Sequence, residues 1–71
     1  MFFQRLEDLR RDAGKTQQEI ADVLNCKREM YRRYEKGIHE IPAWVLVKLA
    51  EYYDTSVDYI LGLTNKREKN N

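Results

Sequence analysis

Residues 16–37, Thr-Gln-Gln-Glu-Ile-Ala-Asp-Val-Leu-Asn-Cys-Lys-Arg-Glu-Met-Tyr-Arg-Arg-Tyr-Glu-Lys-Gly, hold two short helical patterns separated by a turn. Thr16 followed three residues later by Glu19 is a capping box. Hydroxyl and carboxylate there each satisfy a backbone N–H that the first helical turn leaves unpaired. The helix so started carries Ile20, Ala21, Val23 and Leu24, and Asn25 with Cys26 makes the turn. A second helix is expected from about Arg28 to Lys36, with Gly37 as its stop. Seven of the ten residues from Lys27 to Lys36 are charged, and five of them are basic.

Outward from this segment, sparse glycine and proline divide the chain into five expected helices and no strand. Phe2, Leu6, Leu9 and Ala13 form one apolar stripe on a helix from about Phe2 to Ala13, which Gly14 ends. Pro42 suits a first helical position, where its missing N–H costs nothing, and the helix it opens turns Val45, Leu46, Leu49, Ala50 and Tyr53 inward. Thr55 and Asp58 resemble a second capping box before Val57, Ile60 and Leu61, with Gly62 as the stop. The expected fold class is therefore a compact all-α domain of five helices over residues 1–64, with residues 65–71 as a flexible polar tail.

A chain of 71 residues is one domain, and 42% hydrophobic with 35% charged residues suits a soluble surface around a small core. The single cysteine, Cys26, has no internal disulfide partner, so a reducing, cytoplasmic location is expected, with the thiol acting as a small hydrophobe. No apolar run approaches the ~20 residues of a membrane span, and Arg5 interrupts the apolar start, so no signal peptide is expected. The net charge of +1 is unevenly spread: residues 1–37 carry +2, residues 38–64 carry −3 and residues 65–71 carry +2. Basic charge thus gathers near the cationic helix, and a nucleic-acid footprint needs local potential rather than net charge.

Two short helices joined by a tight turn, the second one cationic, is an arrangement that presents one helix to the DNA major groove. An ordered series of residues sharpens this. Leu6, Leu9 and Arg10 precede Thr16 to Ala21; Tyr34-Glu35-Lys36-Gly37, Ile41-Pro42 and Leu49-Ala50 follow, and Ser56 to Gly62 closes the series. In these residues the chain resembles the lambda-repressor-like helix-turn-helix domains, the Cro/repressor or XRE type, over about residues 2–63. The ending from Ser56 to Leu63 is similar to small regulators of Gram-positive bacteria and their phages.

The resemblance implies sequence-specific binding of double-stranded DNA, as a repressor, with the third helix in the major groove. By position, Arg28, Glu29 and Arg32 face bases, with Arg33 beside them. Arginine can donate twice to guanine O6 and N7, and glutamate can accept from cytosine N4, so a half-site containing G·C pairs is expected. Glu29 also lies one turn from Arg32 and Arg33, and the alternative is that it orients them. Gln17 is implied to bond a phosphate at a helix N-terminus, with Gln18 beside it. Lys27 and Lys36 suit phosphates too, fixing register without reading sequence. Lys27 stands where the family usually places a capping Ser or Thr. Tyr31 stands where a buried aliphatic is usual, so its ring is expected inward with the hydroxyl reaching solvent or a phosphate. Arg10 and Glu35 match a pair that bridges the first and third helices in some relatives.

A symmetric homodimer is expected, since proteins of this type read two half-sites. Trp44 lies off the inward stripe and, with Tyr59 and Leu63, is a candidate for its interface. With the domain taking up nearly the whole sequence, switching is expected from a partner protein, DNA competition or concentration. The competing reading is an antitoxin-like or antirepressor-like module whose main ligand is a protein and whose DNA binding is autoregulatory. Enzyme activity is not expected: His39 is the only histidine, beside Glu40 in a loop, and Cys26 has no evident base or metal co-ligand. No cofactor and no small-molecule ligand are expected.

Overall fold

The computed structural model describes residues 2–68, and in it α1 spans Gln4–Asp12, α2 Gln17–Leu24, α3 Arg28–Glu35, α4 Ala43–Tyr52 and α5 Val57–Leu61. The described residues contain no strand, so the all-α, five-helix architecture expected from the sequence is the one observed. Its Cα radius of gyration is 11.1 Å, close to the ~11 Å of a compact domain of this length.

All five helices stop in the same way. Gly14, Asn25, Gly37, Asp54 and Gly62 each take a left-handed backbone conformation just past a helix end. The following N–H then donates to a carbonyl five residues back: Lys15 to Arg10, Cys26 to Ala21, Ile38 to Arg33, Thr55 to Ala50 and Leu63 to Asp58. Each bond satisfies a carbonyl that the helix end would leave orphaned. Asp54 is the one stop absent from the sequence reading. At Gly37 more than conformation is at stake, because a Cβ there would lie 2.9 Å from the Phe2 Cα.

Starts are less uniform. The Thr16–Glu19 capping box forms in full around α2. The cap of α5 falls one residue later than expected: the Ser56 hydroxyl accepts from the Tyr59 N–H, while Thr55 is fully buried. Pro42 is the N-cap of α4, with an extended ψ of 150°, so the helix proper begins at Ala43. The chain is also extended at Phe3, which places Phe2 outside α1 and half exposed; Phe3 packs on the core in its stead. Ala13, at the other end of the expected stripe, is exposed.

The core gathers Leu6 and Leu9 of α1, Ile20, Ala21 and Leu24 of α2, Tyr31 and Tyr34 of α3, Val45, Leu49 and Ala50 of α4, and Ile60 of α5. α2 lies mainly against α3, α1 touches both α3 and α5, and α4 leans on α5. Beyond α5 the chain turns back on the domain. The Arg5 guanidinium donates to the carbonyls of Tyr59 and Thr64 and to Asn65 Oδ1, and stacks 4.1 Å above the Tyr59 ring. The Thr55 hydroxyl donates to the Arg67 carbonyl, and Arg67 reaches Asp12 at 3.4 Å. Residues 69–71 of the expected tail lie outside the described residues.

Candidate nucleic-acid interface

α3 divides sharply around its axis. Tyr31, Tyr34 and Glu35 are buried, whereas Arg28, Glu29 and Arg33 are exposed and Arg32 is half-buried. The buried side fixes the helix. Glu35 is 0% exposed, and both its carboxylate oxygens are taken by Arg10, at 2.9 Å from Nε and 3.0 Å from Nη2. Arg10 also donates through Nη1 to the Lys15 carbonyl. Gln17 closes the group from α2, its amide nitrogen 3.3 Å from Glu35 Oε1. One carboxylate therefore ties α1, α2 and α3 together.

Burial would push the Glu35 carboxyl above its ordinary range. The hydrogen bonds from Arg10 and Gln17, together with the Arg10 charge, outweigh it and hold the group below that range. Tyr31 corrects one expectation. Its hydroxyl does not reach solvent or a phosphate; it is enclosed, as is that of Tyr53, without a partner of good hydrogen-bond geometry among the described residues. Burial, and then the neighbouring Glu35 charge, drives the Tyr31 phenol far above its usual range.

On the exposed side, Glu29 accepts two bonds from Arg32, Nε at 2.7 Å and Nη2 at 3.0 Å, and stands 3.5 Å from Arg33 Nε. Arg32, then Arg33, holds the Glu29 carboxyl down to about 2. Arg28 has no ion pair or side-chain hydrogen bond among the described residues. Lys27 is the N-cap of α3 and supplies no side-chain cap, so the first N–H groups of α3 stay open beside an ammonium. Lys36 caps the other end and its Nζ lies 3.7 Å from Glu7 of α1. Gln18 is exposed and spends its amide on Asp22, one turn on. The candidate base-facing residues thus share one face, Gln17 meets α3 through Glu35 on its buried side, and Lys36 is drawn toward α1.

The candidate interface residues lie elsewhere. Trp44 is 56% exposed and Leu63 73% exposed, with Val47 also open one turn along α4 from Trp44. Tyr59 is half-buried under the Arg5 guanidinium. Pairing of Gln17 with Glu35, and of Arg5 with the returning chain, had no signal in the sequence, since both join residues distant along it. Among the described residues no group of three or more His, Cys, Asp or Glu is placed to hold a metal, and no helix is long and apolar enough to cross a membrane.

Comparison with known proteins agrees with this geometry. A family model described as helix-turn-helix matches residues 6–60, from α1 into α5. YobD, an uncharacterized HTH-type transcriptional regulator of Bacillus subtilis, is 42% identical over 65 residues, 92% of this chain and 58% of that protein. ImmR, an HTH-type transcriptional regulator of the same organism, is 36% identical over 93% of this chain and 52% of its own length. YonR, an uncharacterized SPbeta prophage-derived regulator, is 38% identical over 92% of this chain and 60% of its own. The chain spans little more than half the length of these relatives. No solved structure matches it. With α2, the Asn25–Cys26 turn and the basic α3 inside the matched span, the chain belongs to the helix-turn-helix family, of the lambda-repressor-like XRE type.

Proposed function

We propose that this protein is a sequence-specific, double-stranded-DNA-binding transcription regulator, acting as a repressor. The observation that carries the reading is α3 itself: an arginine-rich exposed face on a helix whose buried face is locked by the Arg10–Glu35 pair. α3 enters the major groove, Arg28 and Arg32 donate to guanine edges, and Arg33 lies beside them. Lys27, the open N-terminus of α3 and Gln17 take phosphates, with Gln18 and Lys36 at the margins of the footprint.

One copy offers one α3, and its longest Cα extent is 31 Å. Half-sites of this class lie ~34–36 Å apart, which supports the reading of a homodimer on a (pseudo)palindromic operator. Trp44 and Leu63 are the open apolar residues for that contact, with Tyr59 at most an edge beneath Arg5. The lone, partly buried Cys26 supports action in the reducing cytoplasm, where DNA is. A second reading, an antitoxin-like or antirepressor-like module, draws on the same exposed Trp44 and Val47 as a surface for another protein.

Selection of bound sites from random duplex DNA tests the first reading, because it yields half-site sequence, symmetry and spacing together. Enrichment of a symmetric site, weakened by Arg28→Ala and Arg32→Ala, is the expected result. No enrichment at low salt would sink the DNA-reading role, and enrichment indifferent to both substitutions would remove those two residues from it.

A further inference from the structure

We propose that Glu29 is a positioning residue for Arg32: it accepts the side edge of the Arg32 guanidinium and so presents the end of that group to a guanine. The proposal rests on the DNA-reading function above and assigns a specificity role within it.

The geometry is particular. A guanidinium carries two donor forks, a side edge formed by Nε–H with one Nη2–H, and an end formed by Nη1–H with the other Nη2–H. Glu29 accepts from Arg32 Nε at 2.7 Å and Nη2 at 3.0 Å, which is the side edge. The end fork is left free, and two parallel donors are what guanine O6 and N7 accept. Both Glu29 oxygens are engaged, one of them also facing Arg33 Nε at 3.5 Å. To accept from a cytosine amine Glu29 would have to surrender this fork, so it is poorly placed to read a base itself.

The pairing also separates two kinds of arginine on one helix. Arg28 is held by nothing among the described residues, and ordering its long side chain on DNA carries the full rotamer cost. Arg32 is already ordered, and pre-organised donors lose less on binding. The base pair under Arg32 is therefore read stringently, and the one under Arg28 more loosely. The Glu29 carboxyl, held down to about 2, keeps its charge at any pH at which such a protein works.

The test compares wild-type protein, E29A, E29Q, R32A and the E29A/R32A double variant. Each is titrated on the best selected duplex, on its single base-pair variants and on a random duplex. Thermal melts accompany the titrations, and all five proteins are expected to melt cooperatively because both side chains lie on the open face of α3. R32A is expected to erase preference at one base pair, by roughly tenfold or more, the scale of a bidentate arginine–guanine contact. E29A should erase preference at that same base pair, and the double variant should add nothing. E29Q, with one amide oxygen left to accept, should retain part of it. Affinity for random duplex should hold or rise in E29A, since an anion has left the face.

If E29A relaxes a different base pair from R32A, Glu29 reads DNA directly and the proposal is overturned. Preferences unchanged in E29A overturn it as well, leaving an idle surface pair. An R32A variant with wild-type preferences also overturns it, by removing Arg32 from the readout. A wild-type protein with no preference for any duplex defeats the DNA-reading function first, and the positioning role with it.

Discussion

Lys27 is a position where stability and proposed function pull in opposite directions. It is the N-cap of α3 without a capping side chain, where Ser, Thr, Asn or Asp would satisfy an open N–H. Lys27→Ser is expected to stabilise the fold by about 1 kcal/mol. In a domain of this size that is a rise of roughly 4–8 °C in Tm, read by thermal melting. The same change removes a cation from the proposed phosphate contact, so DNA affinity should fall nearly equally for all sequences. A variant that gains stability and keeps its affinity would take Lys27 out of the footprint. Glu29 shows how much of such a site a sequence carries: its spacing to Arg32 and Arg33 is evident, but which edge of a guanidinium it holds is not. Tyr31 shows the same limit. Its place where the resembled family usually has a buried aliphatic put the ring inward, yet the fate of the hydroxyl depended on Glu35 and Tyr53, one of them far along the chain.

Among the elements, the tie between α1 and α3 has the largest expected effect. Arg10→Ala leaves Glu35 fully buried without its cation, and breaking such a pair costs about 3–5 kcal/mol. The pH dependence distinguishes this from a simple packing loss. In the wild type the Glu35 pKa is depressed, so its contribution is present above the ordinary carboxylate range and is lost as pH falls through the depressed value. Without Arg10, burial dominates and raises the pKa, so the variant recovers stability as Glu35 becomes protonated. The stability gap measured by urea unfolding should therefore narrow on acidification; a gap constant from neutral to acid pH would deny Glu35 this role. Most elements were legible because their signals are local: the Thr16–Glu19 box, the glycine stops and the periodic Leu and Ile positions each act within a turn or two. The misplaced starts have physical reasons. Pro42 is as compatible with an extended N-cap as with a first helical residue, and Thr55 and Ser56 are both capping residues whose competition burial decides in favour of Ser56. Nothing local marks the Asp54 stop, since Asp is only an occasional occupant of the left-handed region.

For the whole molecule, charge and surface divide along the fold. The basic face of α3 is turned outward from a body whose later segment, residues 38–64, carries −3, which favours one orientation on a polyanion. The exposed Trp44 on α4 is expected to serve the dimer: Trp44→Ala should shift sedimentation toward a single copy while leaving the melt nearly unchanged, and an unaltered dimer would exclude Trp44 from the interface. The ends of the described chain behave as one unit. Arg5 near the start holds Tyr59, Thr64 and Asn65, and Arg67 reaches Asp12. Arg5→Ala should accordingly speed amide hydrogen exchange in α1 and α5 together, and acceleration confined to α1 would contradict this coupling. The stitching has a mechanical consequence. A pull applied beyond residue 68 does not simply peel α5 away; it loads α1 through Arg5 and Asp12, and α1 is the helix whose Arg10 grips α3. Tension on the far end of the chain is thus delivered to the seating of α3, the helix proposed to read DNA.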